Sequence, residues 1–113
     1  MKINVLGTVY NVEMKTRHED LKLESCGGYI DPTLKRIVVE QYDAAQDANP
    51  VMAVGDMQTD EHRALRHEIV HAHFYESGLF CDSGYGQDET LVDWIALQMP
   101  KMVMVMREAG CLD

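Results

Sequence analysis

The chain has 113 residues, of which 46% are hydrophobic, and 19 acidic residues against 10 basic ones give it a formal net charge of −9. This length and apolar content predict one domain, residues 1–113, with a hydrophobic core. The negative charge argues against independent nucleic-acid binding, which needs a basic surface. No run approaches the ~18 apolar residues of a membrane span, so we expect no membrane insertion.

The cysteines and the N-terminus indicate the compartment. Cys26, Cys81 and Cys111 are widely spaced and form no C-x-x-C pair, which argues against a disulfide framework. Residues 1–7 lack the long apolar segment of a secretory signal. Reduced thiols in the cytoplasm fit this pattern, and we expect a cytoplasmic protein.

The first 41 residues predict β structure. Residues 3–12 are rich in β-branched and aromatic side chains but are interrupted by Gly7, which indicates one bulged strand or a short hairpin. Residues 14–25 are polar and predict a loop or a weak helical turn. Residues 27–40 predict a hairpin, because the pair Asp31-Pro32 supplies turn chemistry before the strand at residues 36–41.

Residues 43–60 predict an irregular connection before the first predicted helix. That helix is expected to begin near Thr59 or Asp60, which are both good N-cap residues, and to end at about Ser77. Gly78 would serve as its C-terminal stop.

Residues 79–87 predict a loop, and a second helix is expected from about Asp88. Apolar side chains recur there at helical spacing. Pro100 should break or kink this helix because proline has no N–H to donate, leaving residues 101–109 as a final helical segment. Trp94 should pack in the core or against another helix. Strands followed by helices predict an α+β fold, a small antiparallel sheet with both helices packed on it.

The pentapeptide His67-Glu68-Ile69-Val70-His71 lies within the first predicted helix. Positions i and i+4 return to nearly the same side of a helix, so His67 and His71 can point their imidazoles at one metal ion. Glu68 projects beside them as a candidate general base, and this is the geometry of H-E-x-x-H zinc hydrolases. A polar helix face with coincidental spacing is the alternative. His73 falls about 200° around the helix from His71 and should be structural.

A catalytic zinc site usually takes three protein ligands and leaves one position for water. Glu89, in the first turn of the second helix, is the best candidate for the third ligand. Asp93 follows at i+4, on the same side of the helix. A carboxylate often accepts the second ring N–H of a zinc-bound histidine, and we expect Asp93 to do so. The alternatives are an acid that favours the helix dipole for Glu89 and a solvated carboxylate for Asp93.

The two motifs together resemble those of the gluzincin metallopeptidases, an H-E-x-x-H followed by E-x-x-x-D. More closely, residues 88–100 (DETLVDWIALQMP) resemble the second motif of ImmA/IrrE-type proteins, in which a metal-binding glutamate precedes an Asn or Asp, an aromatic residue, an alanine and a Met-Pro pair. The resemblance is good over residues 66–100. It implies an α+β zincin core, one Zn²⁺ and hydrolysis of peptide bonds, with repressor proteins as substrates of characterised members.

If Zn²⁺ is bound, it lowers the pKa of a bound water and polarises the scissile carbonyl. Glu68 would then act as general base and afterwards as general acid. Tyr75, Tyr85 and His73 are the candidates for stabilising the oxyanion, and the sequence does not choose among them. A peptide or protein substrate would pair with an exposed sheet edge.

Two other functions share some of these residues. A zinc-binding interaction module that controls a partner such as a repressor would use the same ligands without needing Glu68. A metal-free α+β domain would carry the motif as a vestige.

Overall fold

The computed structural model describes residues 1–42 and 54–113, with the side chains of residues 54–58 excepted. The described part has an α+β fold, which confirms the predicted class. Its strands are β1 (Lys2–Val5), β2 (Thr8–Lys15), β3 (Gly28–Asp31) and β4 (Arg36–Glu40), and its helices are α1 (Val54–Glu76), α2 (Leu79–Asp82) and α3 (Glu89–Glu108). Two 3₁₀ turns lie at Leu21–Glu24 and Gly84–Gln87. No helix of the described residues has the length and apolar character needed to cross a membrane.

The four strands form a mixed sheet in the order β1-β2-β4-β3, and the expected purely antiparallel sheet is wrong. The outer pairs are antiparallel, whereas β2 and β4 are parallel, with Lys15 opposite Glu40. The chain leaves β2, passes the C-terminal end of β4 and enters β3 at the far edge, so β4 runs alongside β2 in the same direction. Arg17 in this crossing pairs with buried Glu40 at 2.7 Å, and Leu23 of the same segment is buried.

Residues 3–12 form a hairpin rather than one bulged strand. Leu6 (φ 50°) and Gly7 (φ 93°) both adopt the left-handed conformation that a two-residue hairpin turn requires. The side chain of Asn4 accepts the N–H of Gly7 at 2.7 Å. The second hairpin, β3–β4, is confirmed, and Asp31 Oδ1 accepts two backbone N–H groups of its turn.

Helix α1 begins at Val54, earlier than predicted, so the irregular connection expected at residues 43–60 is wrong over residues 54–60. Residues 43–53 of that connection lie outside the described residues. A good N-cap residue contributes only about 1 kcal/mol, which does not oblige a helix to start there. The predicted C-terminal stop is confirmed, because α1 ends at Glu76 and Gly78 is left-handed with φ 84°.

The loop expected at residues 79–87 is instead α2 followed by a 3₁₀ turn. The carbonyl of Gly78 accepts the N–H groups of Cys81 and Asp82 in α2, and the Ser83 side chain accepts the N–H of Tyr85. A Cβ at Gly86 would lie 2.3 Å from the carbonyl oxygen of Leu79. The glycines therefore allow tight turns to pack together here, rather than leaving the backbone irregular.

Helix α1 lies across the sheet and forms the core with it, and α3 lies chiefly against α1. Apolar side chains from β1, β2 and β4 meet those of α1. The buried cluster consists of Val5, Tyr10, Val12, Ile37, Val39 and Ala72. The sheet therefore fixes α1, and α1 in turn fixes the position of α3.

Helix α3 continues through Pro100, so the predicted break is wrong. Proline cannot donate to the carbonyl of Ala96, and Arg66 of α1 donates to that oxygen instead, with Nε at 2.6 Å. The prediction that Trp94 packs in the core or against another helix is wrong: its side chain is 54% exposed, on the side of α3 opposite buried Val92 and Ala96.

Candidate metal centre

Helix α1 presents two imidazoles to the same point, as their spacing predicts. The Nε2 atoms of His67 and His71 lie 3.0 Å apart, and the ring centroids lie 4.6 Å apart with the planes at 73°. Because α1 is regular across this segment and packs on the sheet, both rings are held on its side facing α3. The Nε2 atoms of the two histidines can therefore bind one ion without any rearrangement of the helix.

Glu89 is brought to the same point by the start of α3. Asp88 caps this helix by accepting the N–H of Leu91 at 3.2 Å, which fixes where the first turn begins. One Glu89 carboxylate oxygen lies 3.0 Å from His67 Nε2, and the other lies 3.0 Å from His71 Nε2. The three donor atoms all lie within 4.8 Å of one another.

Asp93 lies one turn further along α3 and determines which nitrogen of His67 faces the cluster. Its carboxylate accepts the Nδ1–H of His67 at 2.7 Å. In a neutral imidazole, the Nε2 atom of His67 then carries the lone pair, and a carboxylate oxygen of Glu89 lies 3.0 Å from it. Two acceptors at this distance repel each other unless a cation lies between them.

The donor set is that of a catalytic zinc site, with two imidazole nitrogens and one glutamate oxygen. Burial lowers the pKa of His71, although the negative charge of Glu89 opposes this. A lowered pKa keeps the imidazole neutral, which is the form that binds metal. Among the described residues, the cluster of possible ligands contains only His67, His71 and Glu89. These residues fit a Zn²⁺ ion with a coordination position left open.

Glu68 lies beneath the cluster in the floor of an adjacent cleft. Glu68 is only 6% exposed. This burial, reinforced by the charge of Glu89, raises the pKa of its carboxyl to about 7. A Cβ on Gly28 of β3 would lie 3.3 Å from Glu68 Cγ and 2.9 Å from the Val38 carbonyl oxygen. Glycine at this position therefore lets the strand approach the glutamate closely.

The cleft itself has a volume of about 620 Å³ and lies between α1, α3 and the edge strand β3. The motif residues His67, Glu68, His71 and Glu89 line part of it. The other lining residues are Cys26, Gly27, Gly28, Tyr29, Ile30, Asp60, Arg63, Ala64, Phe80 and Asp93. Sequence reasoning missed Arg63, although its position four residues before His67 on the same helix face is a usable signal. It also missed Tyr29, for which the sequence offers no such signal.

None of the three candidates for oxyanion stabilisation lines this cleft. Tyr75 packs against Phe80 with ring centroids 5.9 Å apart, and Tyr85 is exposed on the 3₁₀ turn. His73 is not among the residues that line the cleft with His67, His71 and Glu89, and its Nδ1 bonds to the carbonyl of Ile69 at 2.8 Å. Tyr29 does line the cleft, but its hydroxyl donates to Asp20.

Comparisons with family models, with curated proteins and with solved structures give no match to this chain. Its resemblance to the ImmA/IrrE proteins therefore stays a prediction from the motifs at residues 66–100.

Proposed function

We propose that this protein is a zinc-dependent metallopeptidase of the ImmA/IrrE type. The observation that carries the proposal is the position of Glu68. This carboxyl group is only 6% exposed, lies beside three metal donors and opens onto a cleft. A carboxylate held next to a metal-bound water can act as its general base. A site that only bound metal would not require the carboxyl group of Glu68 beside its donors.

His67, His71 and Glu89 would hold the Zn²⁺, and Asp93 would orient His67 through its Nδ1–H. Zinc bound there supplies a Lewis acid that acidifies water and polarises a carbonyl. Glu68 would take the proton from the attacking water and deliver it to the nitrogen of the leaving amine.

The substrate would be an extended peptide or protein segment lying along β3. This strand is at the edge of the sheet and lines the cleft. Gly27 O accepts the N–H of Glu40, so the alternation of an antiparallel pair turns the N–H and C=O groups of Gly28 and Ile30 away from β4. Those groups can pair with a peptide backbone, as in other cases of strand addition.

A regulatory protein such as a repressor remains the substrate class that the resemblance implies, and we place the activity in the cytoplasm. Cys26, Cys81 and Cys111 are free and exposed, which suits a reducing compartment. Direct nucleic-acid binding is not part of the proposal, given the net charge of −9.

A zinc-binding interaction module is the competing proposal, and the open coordination position argues against it. A purely structural zinc site usually has four protein ligands, whereas the described residues bring three together.

The proposal is tested with the zinc-loaded full chain and a mixture of unstructured peptides, with the products identified by mass spectrometry. We expect cleavage by the wild type. Glu68→Gln should keep stoichiometric zinc and lose hydrolysis by a factor of at least about 10². Cleavage at the wild-type rate by Glu68→Gln would refute the role of Glu68. Intact peptides in the presence of fully zinc-loaded wild type would favour the interaction module.

A further inference from the structure

Arg63 places a positive charge in the wall of the cleft, one helical turn before His67. It is the only lysine or arginine among the described residues that line the cleft. Positions 63 and 67 share one side of α1, so this charge lies on the same side of the helix as the metal donors. The side chain of Arg63 is 57% exposed, which leaves it open to a ligand in the cleft.

Asp60 holds the guanidinium of Arg63 in place and occupies only part of it. Arg63 Nη2 donates to one carboxylate oxygen of Asp60 at 3.2 Å, and the other oxygen accepts the hydroxyl of Tyr42 at 2.9 Å. Arg63 has no further hydrogen bond or ion pair with the residues that the structure describes. Because a guanidinium has five N–H groups, Arg63 can donate to a second carboxylate while it keeps Asp60.

The acidic side chains that line the cleft already have partners. Glu89 and Asp93 contact the histidines of the metal site, Asp60 accepts from Arg63, and Glu68 is buried in the floor. A basic substrate residue would compete with these contacts, whereas an acidic one meets unused N–H groups. The net charge of −9 does not prevent this, because charges more than about 8 Å apart are largely screened in physiological salt.

Contacts between β3 and α1 show where Arg63 lies along the cleft. A Cβ on Gly28 would lie 3.3 Å from Glu68 Cγ, and a Cβ on Gly27 would lie 3.8 Å from Ala64 Cβ. Residues 27–28 and residues 64–68 therefore advance along the cleft in the same direction. Arg63, next to Ala64, lies at the end of the cleft where β3 begins.

The spacing along α1 determines which substrate residue reaches Arg63. The four residues from Arg63 to His67 span about 6 Å of helix. Two residues of an extended peptide span about 6.6 Å and return the side chain to the same face. Antiparallel pairing is the more stable arrangement on β3, and it directs the C-terminal part of the peptide towards the start of this strand.

We propose that Arg63 selects substrates with an aspartate or glutamate as the second residue after the scissile bond. The inference rests on the proposed function and names the class of peptide that the site takes. Arg63 contacts the substrate side chain and determines specificity, while Glu68 and the metal donors act on the peptide bond.

The experiment uses peptides that differ at one position around a bond cleaved by the zinc-loaded wild type. Glutamate instead of glutamine at the second residue after that bond should raise kcat/KM roughly three- to tenfold, the effect of one partly exposed ion pair. Arg63→Glu should reverse this preference and favour lysine at the same position. Arg107→Glu makes the same change of net charge at an exposed position near the end of α3 and should keep the preference for glutamate.

Peptide binding gives a readout that does not depend on hydrolysis. Zinc-loaded Glu68→Gln should bind the fluorescently labelled glutamate peptide more tightly than the glutamine peptide by a similar factor, and adding Arg63→Glu should remove the difference. Equal rates and equal binding of the two peptides, or a preference for acid before the scissile bond, would overturn the role of Arg63 alone. A wild type that cleaves no peptide would refute the proposed function and this inference with it.

Discussion

Arg66 donates its Nε–H to the carbonyl oxygen of Ala96 at 2.6 Å, the acceptor that Pro100, four residues later, cannot use. Because Ala96 is buried, that oxygen would otherwise lack a partner. The contact also joins α1 to α3 one residue before His67. Pro100 therefore interrupts the hydrogen bonding within α3, and the carbonyl that it leaves unpaired accepts a hydrogen bond from α1.

Arg66→Met should lower the free energy of unfolding by about 1–3 kcal/mol, the usual cost of an unsatisfied buried acceptor. In a Pro100→Ala background the restored N–H can serve Ala96, so the same substitution should cost less than half as much. Urea unfolding of the four proteins measures this. An equal cost in both backgrounds would show that Arg66 does not act through that carbonyl.

Asp93→Ala should weaken zinc binding by about 10- to 100-fold, because His67 loses the acceptor that fixes its tautomer. Competition with a chromophoric chelator measures the affinity. Glu108→Gln removes an exposed carboxylate from the other end of α3 and should leave zinc affinity unchanged. Equal losses of zinc affinity in the two variants would mean that Asp93 contributes only its negative charge.

The metal-free protein should lose stability as the pH rises, through Glu68. Its pKa is about 7 when folded and near 4.5 otherwise, so the folded chain holds this proton more tightly. The contribution is complete below about pH 4.5 and is lost as the pH rises to about 7, a change of about 3 kcal/mol. Glu68→Gln has no such proton to lose. Its free energy of unfolding relative to that of the wild type should therefore increase between about pH 5 and about pH 8. A difference that stays constant with pH would contradict the assignment.

Gly28→Ala should destabilise the fold by about 1–3 kcal/mol and lower hydrolysis. Its Cβ would lie 2.9 Å from the Val38 carbonyl oxygen and 3.3 Å from Glu68, so the strand or the glutamate must move. Gly27→Ala is the matched control, since its Cβ would meet only Ala64, at an ordinary 3.8 Å. Thermal unfolding and peptide cleavage of the pair are compared. Similar behaviour of both variants would mean that the close approach of β3 to Glu68 is unimportant.

Ile30→Pro removes the outward N–H that would hold a substrate on β3, whereas Ile30→Ala shortens the side chain and keeps that N–H. Relative to the alanine variant, the proline variant should lose roughly three- to tenfold in kcat/KM, the worth of one hydrogen bond. Edge strands tolerate proline. Indistinguishable kcat/KM values would exclude pairing at this position.

The sequence was sufficient to predict the parts of the site that local periodicity determines. The i, i+4 spacing of His67 and His71 placed both on one helix face, and the same spacing placed Glu89 and Asp93 together. The start of the second helix near Asp88 and the stop at Gly78 were also predicted, because helix ends depend on neighbouring residues.

The features that depend on residues distant in the chain could not be predicted from the sequence. The parallel pairing of β2 with β4 follows from the crossing that Arg17 anchors, and its polar sequence indicates no direction. The continuity of α3 depends on Arg66, which lies 34 positions before Pro100 in the chain. The exposure of Trp94 depends on which side of α3 meets α1.

In the proposed enzyme, His67, His71 and Glu89 hold a catalytic zinc ion. The most direct measurement is zinc K-edge absorption on the full chain purified without added metal, with elemental analysis of the same sample. We predict one zinc per chain, bound by two imidazole nitrogens and oxygen ligands at about 2.0–2.1 Å. Absence of zinc, or a sulfur ligand at about 2.3 Å, would contradict the account.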